Sequence, residues 1–394
     1  MYIFLLLKGI ILNKILFHDT TLRDGEQTPG IAFSLSDKIK ITNILYQIGL
    51  DIIEVGFPAA SENEKNNIKK ISKLFKKKNT ILCAFSRAKE SDIEIAYESL
   101  KEAKKSRIQV VAPSSNIHLK YSINTTKKQL IKNLRQSICK ARGFFEDIQF
   151  TAQDAPRAEK KFLKELIDVA IDSGATTISL PDTTGFCSFE EYSMLISEIK
   201  DYIKKFKKVF ISAHCHNDLG LATANTIAAI NSGARQVECT INGLGERAGN
   251  APLEEVLAIL DLKYKNLLKK NIRLKKLAEA NVLLEKITGI KIHNNKPVFG
   301  KNVFTHASGM HQKAVIENKN SFEILKAEKF GLSGGKISIG KLSGKAGIKK
   351  ILNDLKVSLS GKQIESLTKE VKKYSLREKE LSNSKLKQII KKIK

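Results

Sequence analysis

The sequence predicts an α/β fold, a (β/α)8 TIM barrel followed by a smaller helix-rich C-terminal region. From Lys14 onward, short β-branched runs alternate eight times with longer amphipathic stretches, and repeated strand–helix units form parallel sheets. Unusual polar residues concentrate where the strand candidates end, which is the face where barrel enzymes keep their sites. This second observation favours a closed barrel over an open, doubly wound sheet.

The strand candidates are short and apolar, as expected for strands that are buried on both faces. They cover residues 15–19, 51–56, 80–85, 107–112, 147–152, 177–182, 209–214 and 236–241. Helical patterns separate them at 36–49, 62–77, 127–144, 160–173, 189–207 and 219–232. Several of these patterns begin at Ser or Asp or end at Gly, which are residues that cap helices.

The chain length of 394 residues suits one barrel of about 250 residues with an appendage. We expect an N-terminal extension at 1–13, a catalytic barrel at 14–262, a linker and helical subdomain at 263–320, and a second α-rich subdomain with a basic tail at 321–394. The apolar start contains Lys8 and lacks a small-residue cleavage site, which favours a simple extension over the alternative of a signal peptide. It is also too short to span a bilayer.

The chain is strongly basic, with 68 Lys and Arg against 41 Asp and Glu and a net charge of +27. The lysines are spread over nearly every helical pattern, which indicates solvated helix faces rather than a nucleic-acid surface. We therefore expect neither nucleic acid nor a membrane as a partner. The five cysteines are widely spaced without a CxxC pair, which argues against a disulfide framework and fits a cytoplasmic location.

Two histidines at the end of the seventh strand candidate are the sharpest local signal. His214 and His216 are two residues apart, so their side chains share one face of a strand. They can be core histidines satisfied by the backbone. However, Asp24 follows the first strand, and Asn250 follows the eighth, which adjoins the first in a closed barrel. Two imidazoles, a carboxylate and an amide oxygen make a plausible divalent metal site with open positions.

Three long segments resemble the acyl-condensing family that contains the isopropylmalate, homocitrate and citramalate synthases. They are DTTLRDGEQTPG at 19–30, HCHNDLGLATANT at 214–226 and NGLGERAGNAPLEEV at 242–256. Shorter matches are IIEVGFP at 52–58, SLPDTTG at 179–185 and HASGMHQ at 306–312. The similarity runs from about Lys14 to about Leu352, so it covers most of the chain.

The resemblance implies a metal-assisted reaction of acetyl-CoA with a 2-oxo acid. Asp24, His214, His216 and Asn250 match the family's ligands for a divalent ion, which is Mn2+, Mg2+ or Zn2+. The ion binds the keto and carboxylate oxygens of the 2-oxo acid and polarises the carbonyl group as a Lewis acid. Acetyl-CoA is the implied co-substrate.

Further roles carry over from the same resemblance. Arg23 matches the arginine that neutralises the forming alkoxide, a task for a fixed charge in a sheltered site. Thr183 matches the threonine that binds the substrate carboxylate, and Pro181 and Gln153 fall in the substrate-binding motifs. Glu246, beside the metal loop, is expected to orient ligands or water.

The resemblance places the base that deprotonates the acetyl methyl group at His311, which reaches a barrel mouth of the neighbouring subunit and so implies a homodimer. Four positions depart from the family's pattern. Gln153 replaces an acidic residue, Lys313 the last residue of HQD, Phe322 a tyrosine and Leu342 the histidine of GKHSGR. These departures suggest a slower enzyme, an enzyme altered in thioester hydrolysis or, alternatively, a non-catalytic member that acts as a binding or assembly partner.

Within the family, the residues around Pro181 and the wording GARQVECTINGLGERAGN at 233–250 look most like isopropylmalate synthases. We therefore expect condensation of acetyl-CoA, 2-oxoisovalerate and water to 2-isopropylmalate and CoA, the first committed step of leucine biosynthesis. Homocitrate and citramalate synthesis are the enzymatic alternatives. The chain stops where longer members continue into a leucine-binding domain, so feedback inhibition through that domain is not expected.

Overall fold

Eight parallel strands close into a barrel in the computed structural model, which describes residues 14–206, 208–376, 381 and 383–393. They are β1 (Leu16–Asp19), β2 (Ile52–Glu54), β3 (Ile81–Arg87), β4 (Ser106–Pro113), β5 (Asp147–Gln153), β6 (Thr177–Asp182), β7 (Phe210–Cys215) and β8 (Gln236–Cys239). The strands follow chain order, and β8 pairs with β1 to close the ring. This confirms the predicted barrel; the predicted extension at 1–13 lies outside the described residues.

Ten helices follow or separate these strands in the described part of the first unit. They are α1 (Leu35–Ile48), α2 (Glu62–Leu74), α3 (Glu90–Leu100), α4 (Asn116–Tyr121), α5 (Lys127–Arg142), α6 (Lys160–Ser173), α7 (Phe189–Ile203), α8 (Ala222–Ser232), α9 (Leu253–Lys263) and α10 (Lys276–Thr288). The capping residues act as the sequence indicates: Ser34 and Asp37 form a capping box at the start of α1, and Gly49 ends it at a φ of 95°.

A second compact unit begins at Lys291, after the first ends at Ile290. Its helices are α11 (Gly309–Glu317), α12 (Lys345–Asp354), α13 (Gly361–Tyr374) and α14 (Asn383–Ile393), and β9 (Thr305–His306) pairs with β10 (Lys336–Ile337). Its apolar core includes Ile348, Leu352, Leu367, Val371 and Leu386. The finer division at 262 and 320 stays a prediction. In the part of the chain that is described, no helix has the length and apolar character to cross a membrane.

The barrel interior is more polar than its strand sequences suggest. Branched apolar side chains usually fill such interiors, but here Nη1 of the buried Arg107 donates to Oε1 of Gln236 at 2.6 Å. Nε2 of Gln149 donates in turn to Oε1 of Glu238 at 2.8 Å. Polar groups therefore lie within the barrel as well as at its strand ends, which the sequence pattern alone did not indicate.

Lys38 of α1 offers a test of how buried charge stabilises the barrel. The residue is only 1% exposed, and its Nζ donates to Glu26 at 2.7 Å and to Glu64 at 2.6 Å. Lys38→Ala leaves two sheltered carboxylates without their cation, so we expect a loss of about 3–5 kcal/mol in urea unfolding. Lys40→Ala on the same helix, whose side chain is 57% exposed, should change stability by less than about 0.5 kcal/mol. Equal losses would contradict this account.

Candidate active site

Asp24, His214 and His216 meet at the carboxyl-terminal end of the barrel. Asp24 lies in the turn after β1, where its N–H donates to the carbonyl of Thr20 at 2.9 Å. His214 is in β7 and His216 follows that strand. Oδ2 of Asp24 lies 3.3 Å from Nε2 of His214 and 3.7 Å from Nε2 of His216, and the two Nε2 atoms are 3.2 Å apart. All three side chains are buried.

Asn250 completes this group from the loop after β8. It forms an isolated antiparallel bridge with His216, and its Nδ2 donates to the carbonyl of Leu244 at 3.0 Å. A Cβ atom on Gly245 would lie 2.1 Å from Nδ2 of Asn250 and 3.2 Å from Oδ1 of Asp24. Glycine at 245 is therefore required for the Asn250 amide to approach the Asp24 carboxylate.

The donor atoms fit a divalent cation. Among the described residues, Oδ1 of Asp24 and Oδ1 of Asn250 are buried without a hydrogen-bond partner, although buried polar atoms are almost always paired. Asp24, His214 and His216 also present ligand atoms that all lie within 4.8 Å of one another. Two imidazoles, a carboxylate and an amide oxygen are a set that Mn2+, Mg2+ or Zn2+ accepts. We call these four residues the Asp24 site.

The charges around the Asp24 site keep its carboxylate ionised. Burial alone would raise the pKa of Asp24, but Arg23, His214 and His216 outweigh burial and hold the pKa well below its usual range. Burial lowers the pKa of His216 to about 4, so this imidazole is neutral. Burial opposes protonation of His214 too, but hydrogen bonds to Asp24 and Glu238 raise its pKa to about 9. An ion that binds His214 therefore displaces a proton.

Glu238 is a functional candidate that the sequence reading missed. Its Oε2 accepts from Nδ1 of His214 at 3.0 Å, and its Oε1 accepts from Ser179 at 2.7 Å and Ser212 at 2.8 Å. A carboxylate that holds the second nitrogen of a metal-binding histidine fixes the ring's orientation and tautomer. The signal that could have identified Glu238 is an acidic residue within the strand QVEC, which is buried along its whole length.

Glu238→Gln is expected to weaken divalent-ion binding at the Asp24 site by about 10- to 100-fold. Glutamine keeps one acceptor oxygen and replaces the other with an NH2 donor, so it cannot accept from His214 and from the two serines at once, and the orientation of His214 would be less fixed. Calorimetric titration of metal-free protein with Mn2+ measures the effect. Glu198→Gln, on the outer helix α7 and paired with Lys160 at 2.8 Å, is the matched control. Unchanged affinity in Glu238→Gln would show that Glu238 does not position the ligand.

Arg23 is fixed beside the Asp24 site by a second carboxylate that the sequence reading missed. Its Nε donates to Oε2 of the fully buried Glu54 at 2.7 Å, and its Nη1 lies 3.3 Å from Oδ2 of Asp24. The guanidinium carbon also lies 5.2 Å from the ring centre of Phe85. Arg23 is therefore a preorganised positive charge within reach of any anion that binds at the Asp24 site.

A cavity of about 570 Å³ opens over these groups. The site residues predicted in the barrel all line this cavity, with the exception of Asn250. Those that line it are Arg23, Asp24, Gln153, Pro181, Thr183, His214, His216 and Glu246. Its apolar lining residues include Phe57, Phe85, Val111, Pro113, Ile123 and Leu130. The cavity thus pairs cation-binding and positively charged groups with an apolar lining, which suits an organic anion that carries an aliphatic group.

The remaining predicted barrel residues lie around this cavity in different ways. Oγ1 of Thr183 accepts from the Asp154 N–H at 3.0 Å, so its own hydroxyl hydrogen is free to point at a ligand. Pro181 lies in β6 and Gln153 at the end of β5. The exposed Glu246 lies in the loop after β8.

His311 lies in the second unit, on α11. Its ring stacks on Phe322, with ring centres 3.8 Å apart. Phe322, which the sequence predicted to replace a tyrosine of the family, gives His311 an aromatic contact but offers no hydroxyl. Lys313 and Leu342, two other departures from the family pattern, are exposed.

Comparison with known families agrees with this architecture. Residues 14–284 match the HMGL-like family, and residues 298–380 match the homocitrate synthase post-HMGL domain-like family. The crystal structure of hydroxymethylglutaryl-CoA lyase from Pseudomonas aeruginosa covers 71% of this chain and 94% of its own, with a TM-score of 0.62 and 20% identity. At that identity the likeness shows the barrel fold alone.

Two relatives are similar over nearly the whole chain. The 2-isopropylmalate synthase of Pyrococcus abyssi is 40% identical over 382 residues, which are 96% of this chain and 78% of the relative. The 2-isopropylmalate synthase of Aquifex aeolicus is 39% identical over 380 residues, 96% of this chain and 73% of the relative. Together with the barrel and the HMGL-like match, these similarities show that the chain belongs to the 2-isopropylmalate synthase family.

Proposed function

We propose that this protein condenses acetyl-CoA with 2-oxoisovalerate and water to give 2-isopropylmalate and CoA, the first committed step of leucine biosynthesis. The observation that carries the proposal is the Asp24 site with Arg23 beside it, at a cavity that also has an apolar lining. Relatives that are about 40% identical carry the name of that synthase. The apolar lining is suited to the branched alkyl group of the substrate.

The charged groups of the cavity would bind the 2-oxo acid. A divalent ion held by Asp24, His214, His216 and Asn250 would polarise the keto carbonyl as a Lewis acid. Thr183 has a hydroxyl hydrogen available for the substrate carboxylate, because its oxygen already accepts from Asp154.

Arg23 would stabilise the oxygen that gains negative charge as the carbon–carbon bond forms. The new bond joins the acetyl methyl carbon to the keto carbon, and the methyl proton leaves to a base. Glu54 holds the guanidinium in place before the reaction, so little reorganisation is needed when the charge develops. Gln153 offers a neutral amide at the cavity, and Glu246 a carboxylate for orienting water during thioester hydrolysis.

We assign the base to His311 in the second unit, by its match to the family's motif. The chain would then work as a homodimer in which the second unit of one subunit serves the barrel of the other. The stacking of His311 on Phe322 holds the ring without a hydroxyl partner. Because Phe322 offers no hydroxyl to assist the base, we expect a slower proton transfer than a tyrosine at this position would allow.

Release of CoA by the purified, metal-loaded protein tests this function. A thiol reagent would follow CoA with 2-oxoisovalerate, pyruvate or 2-oxoglutarate in turn, and mass spectrometry would identify the product. We expect release with 2-oxoisovalerate and its loss on addition of a chelator. Preference for pyruvate or 2-oxoglutarate would reassign the protein as a citramalate or homocitrate synthase. If folded protein releases no CoA with any of the three 2-oxo acids, the non-catalytic alternative is favoured. That alternative is suggested by Gln153, Lys313, Phe322 and Leu342.

A further inference from the structure

A second group of potential ligands lies inside the barrel, on three neighbouring strands. His18 of β1, Glu54 of β2 and Cys83 of β3 are each fully buried, and their ligand atoms all lie within 4.8 Å of one another. Glu54 is the register partner of Cys83, and His18 is the partner of Ile52, two residues before Glu54. Side chains at these positions share one face of the sheet, so the strand pairing itself brings the three groups together.

Two atoms in this group lack partners. Nε2 of His18 and Oε1 of Glu54 are buried without a hydrogen bond to any described residue. The other oxygen of Glu54 accepts from Arg23, and Nδ1 of His18 lies 3.4 Å from Nε2 of Gln236. Among the residues that the structure describes, Sγ of Cys83 contacts the Ala84 carbonyl at 4.0 Å. Unpaired buried polar atoms are unfavourable, and a cation between them would satisfy both.

We propose that His18, Glu54 and Cys83 form a second metal site, separate from the Asp24 site and selective for ions of the zinc class. An imidazole nitrogen, a carboxylate oxygen and a thiolate sulfur are the three donor types that Zn2+ takes in proteins. The sulfur ligand distinguishes this site from the Asp24 site, whose donors are nitrogen and oxygen only, and it disfavours Mg2+.

Groups of both charges surround this site, and Arg23, which donates to Oε2 of Glu54 at 2.7 Å, is one of the positive ones. Arg107 lies beside Cys83 across the strand pairing, but Nε of Arg107 is 3.0 Å from the Asp147 carboxylate. Glu238 is the register partner of His18 and adds a negative charge. Burial raises the pKa of the Cys83 thiol well above its ordinary value, so ion binding must release the thiol proton to solvent.

An ion at this second site would also act on Arg23. It would engage Oε1 of Glu54 and leave Oε2 on the guanidinium, which fixes the Glu54 carboxylate from both sides. The proposal does not depend on the acyl-transfer function, because binding of the ion can be measured in the absence of substrate.

Cobalt titration of the chelator-treated protein tests the site. Co2+ bound to a thiolate gives an intense near-ultraviolet charge-transfer band, whereas the Asp24 site offers no sulfur. We expect the band in the wild type and in a His216→Ala variant, and its loss in Cys83→Ser. The controls Cys187→Ser, a buried thiol elsewhere in the barrel unit, and Cys139→Ser, an exposed one, should keep it. Elemental analysis after Zn2+ loading should find one ion fewer in His18→Leu than in the wild type.

The wild-type protein decides the question even if a buried variant fails to fold. Absence of a thiolate band from the folded wild type, together with a single bound ion that His216→Ala removes, would overturn the proposal and leave water as the occupant. Loss of the band in Cys139→Ser but not in Cys83→Ser would also overturn it, because the sulfur ligand would then be the surface thiol.

Discussion

Replacing His216 with alanine is expected to abolish divalent-ion binding at the Asp24 site and to lower the rate of CoA release by more than about 100-fold. Removing a residue that only supports a metal ligand commonly costs 10- to 100-fold in affinity or activity. Removing the ligand itself should therefore cost more. Nε2 of His216 lies 3.2 Å from Nε2 of His214 and 3.7 Å from Oδ2 of Asp24. Mn2+ titration and the CoA assay measure the two effects.

His216 is a better choice than His214 for separating ion binding from folding. His214→Ala also leaves the buried Glu238 carboxylate without its imidazole partner, and an unpaired buried charge is destabilising. We expect both variants to lose the ion, but only His214→Ala to lower the melting temperature substantially. His293→Ala, at an exposed histidine of the second unit, should behave as the wild type. Wild-type Mn2+ affinity in His216→Ala would show that the ion is held elsewhere.

The strand ends of the barrel were predictable because each carries a local signal. Short apolar runs mark β1 and β7, and the two-residue spacing of His214 and His216 is enough to place both rings on one face. Barrel closure then brings Asp24 and Asn250 beside them, since β8 pairs with β1. A short-range pattern and one topological rule thus suffice for these four residues.

Glu54 and Glu238 were not predictable in the same way. Each is a single carboxylate within a short strand, and its role appears only through partners on other strands: Arg23 for Glu54, His214 for Glu238. Those pairings depend on which side chains cross the barrel interior and at what height. Strand register determines these pairings, and the periodicity within one strand does not reveal its register with the neighbouring strands.

Replacing Arg23 with methionine is expected to lower kcat by about 10²- to 10³-fold, the usual loss when one oxyanion-stabilising donor is removed. Methionine keeps much of the side-chain volume but supplies neither the charge nor the two contacts to Glu54 and Asp24. Substrate affinity should fall less than kcat, because the Asp24 site still binds the 2-oxo acid. Arg142→Met, at the end of α5 on the outside of the barrel, is the matched control for loss of a positive charge.

The double variant Arg23→Met/Glu54→Gln separates catalysis from charge balance. Arg23→Met alone leaves Glu54 buried without its cation, and because burial already raises the pKa of Glu54 to about 7, the loss should reach roughly 3–5 kcal/mol only at alkaline pH, where the carboxylate is ionised. Glu54→Gln removes that stranded charge, so the double variant should regain most of the stability in urea unfolding but none of the lost rate. Recovery of both would mean that Arg23 serves only to neutralise Glu54. Recovery of stability alone would establish that the guanidinium itself acts on the reacting oxygen.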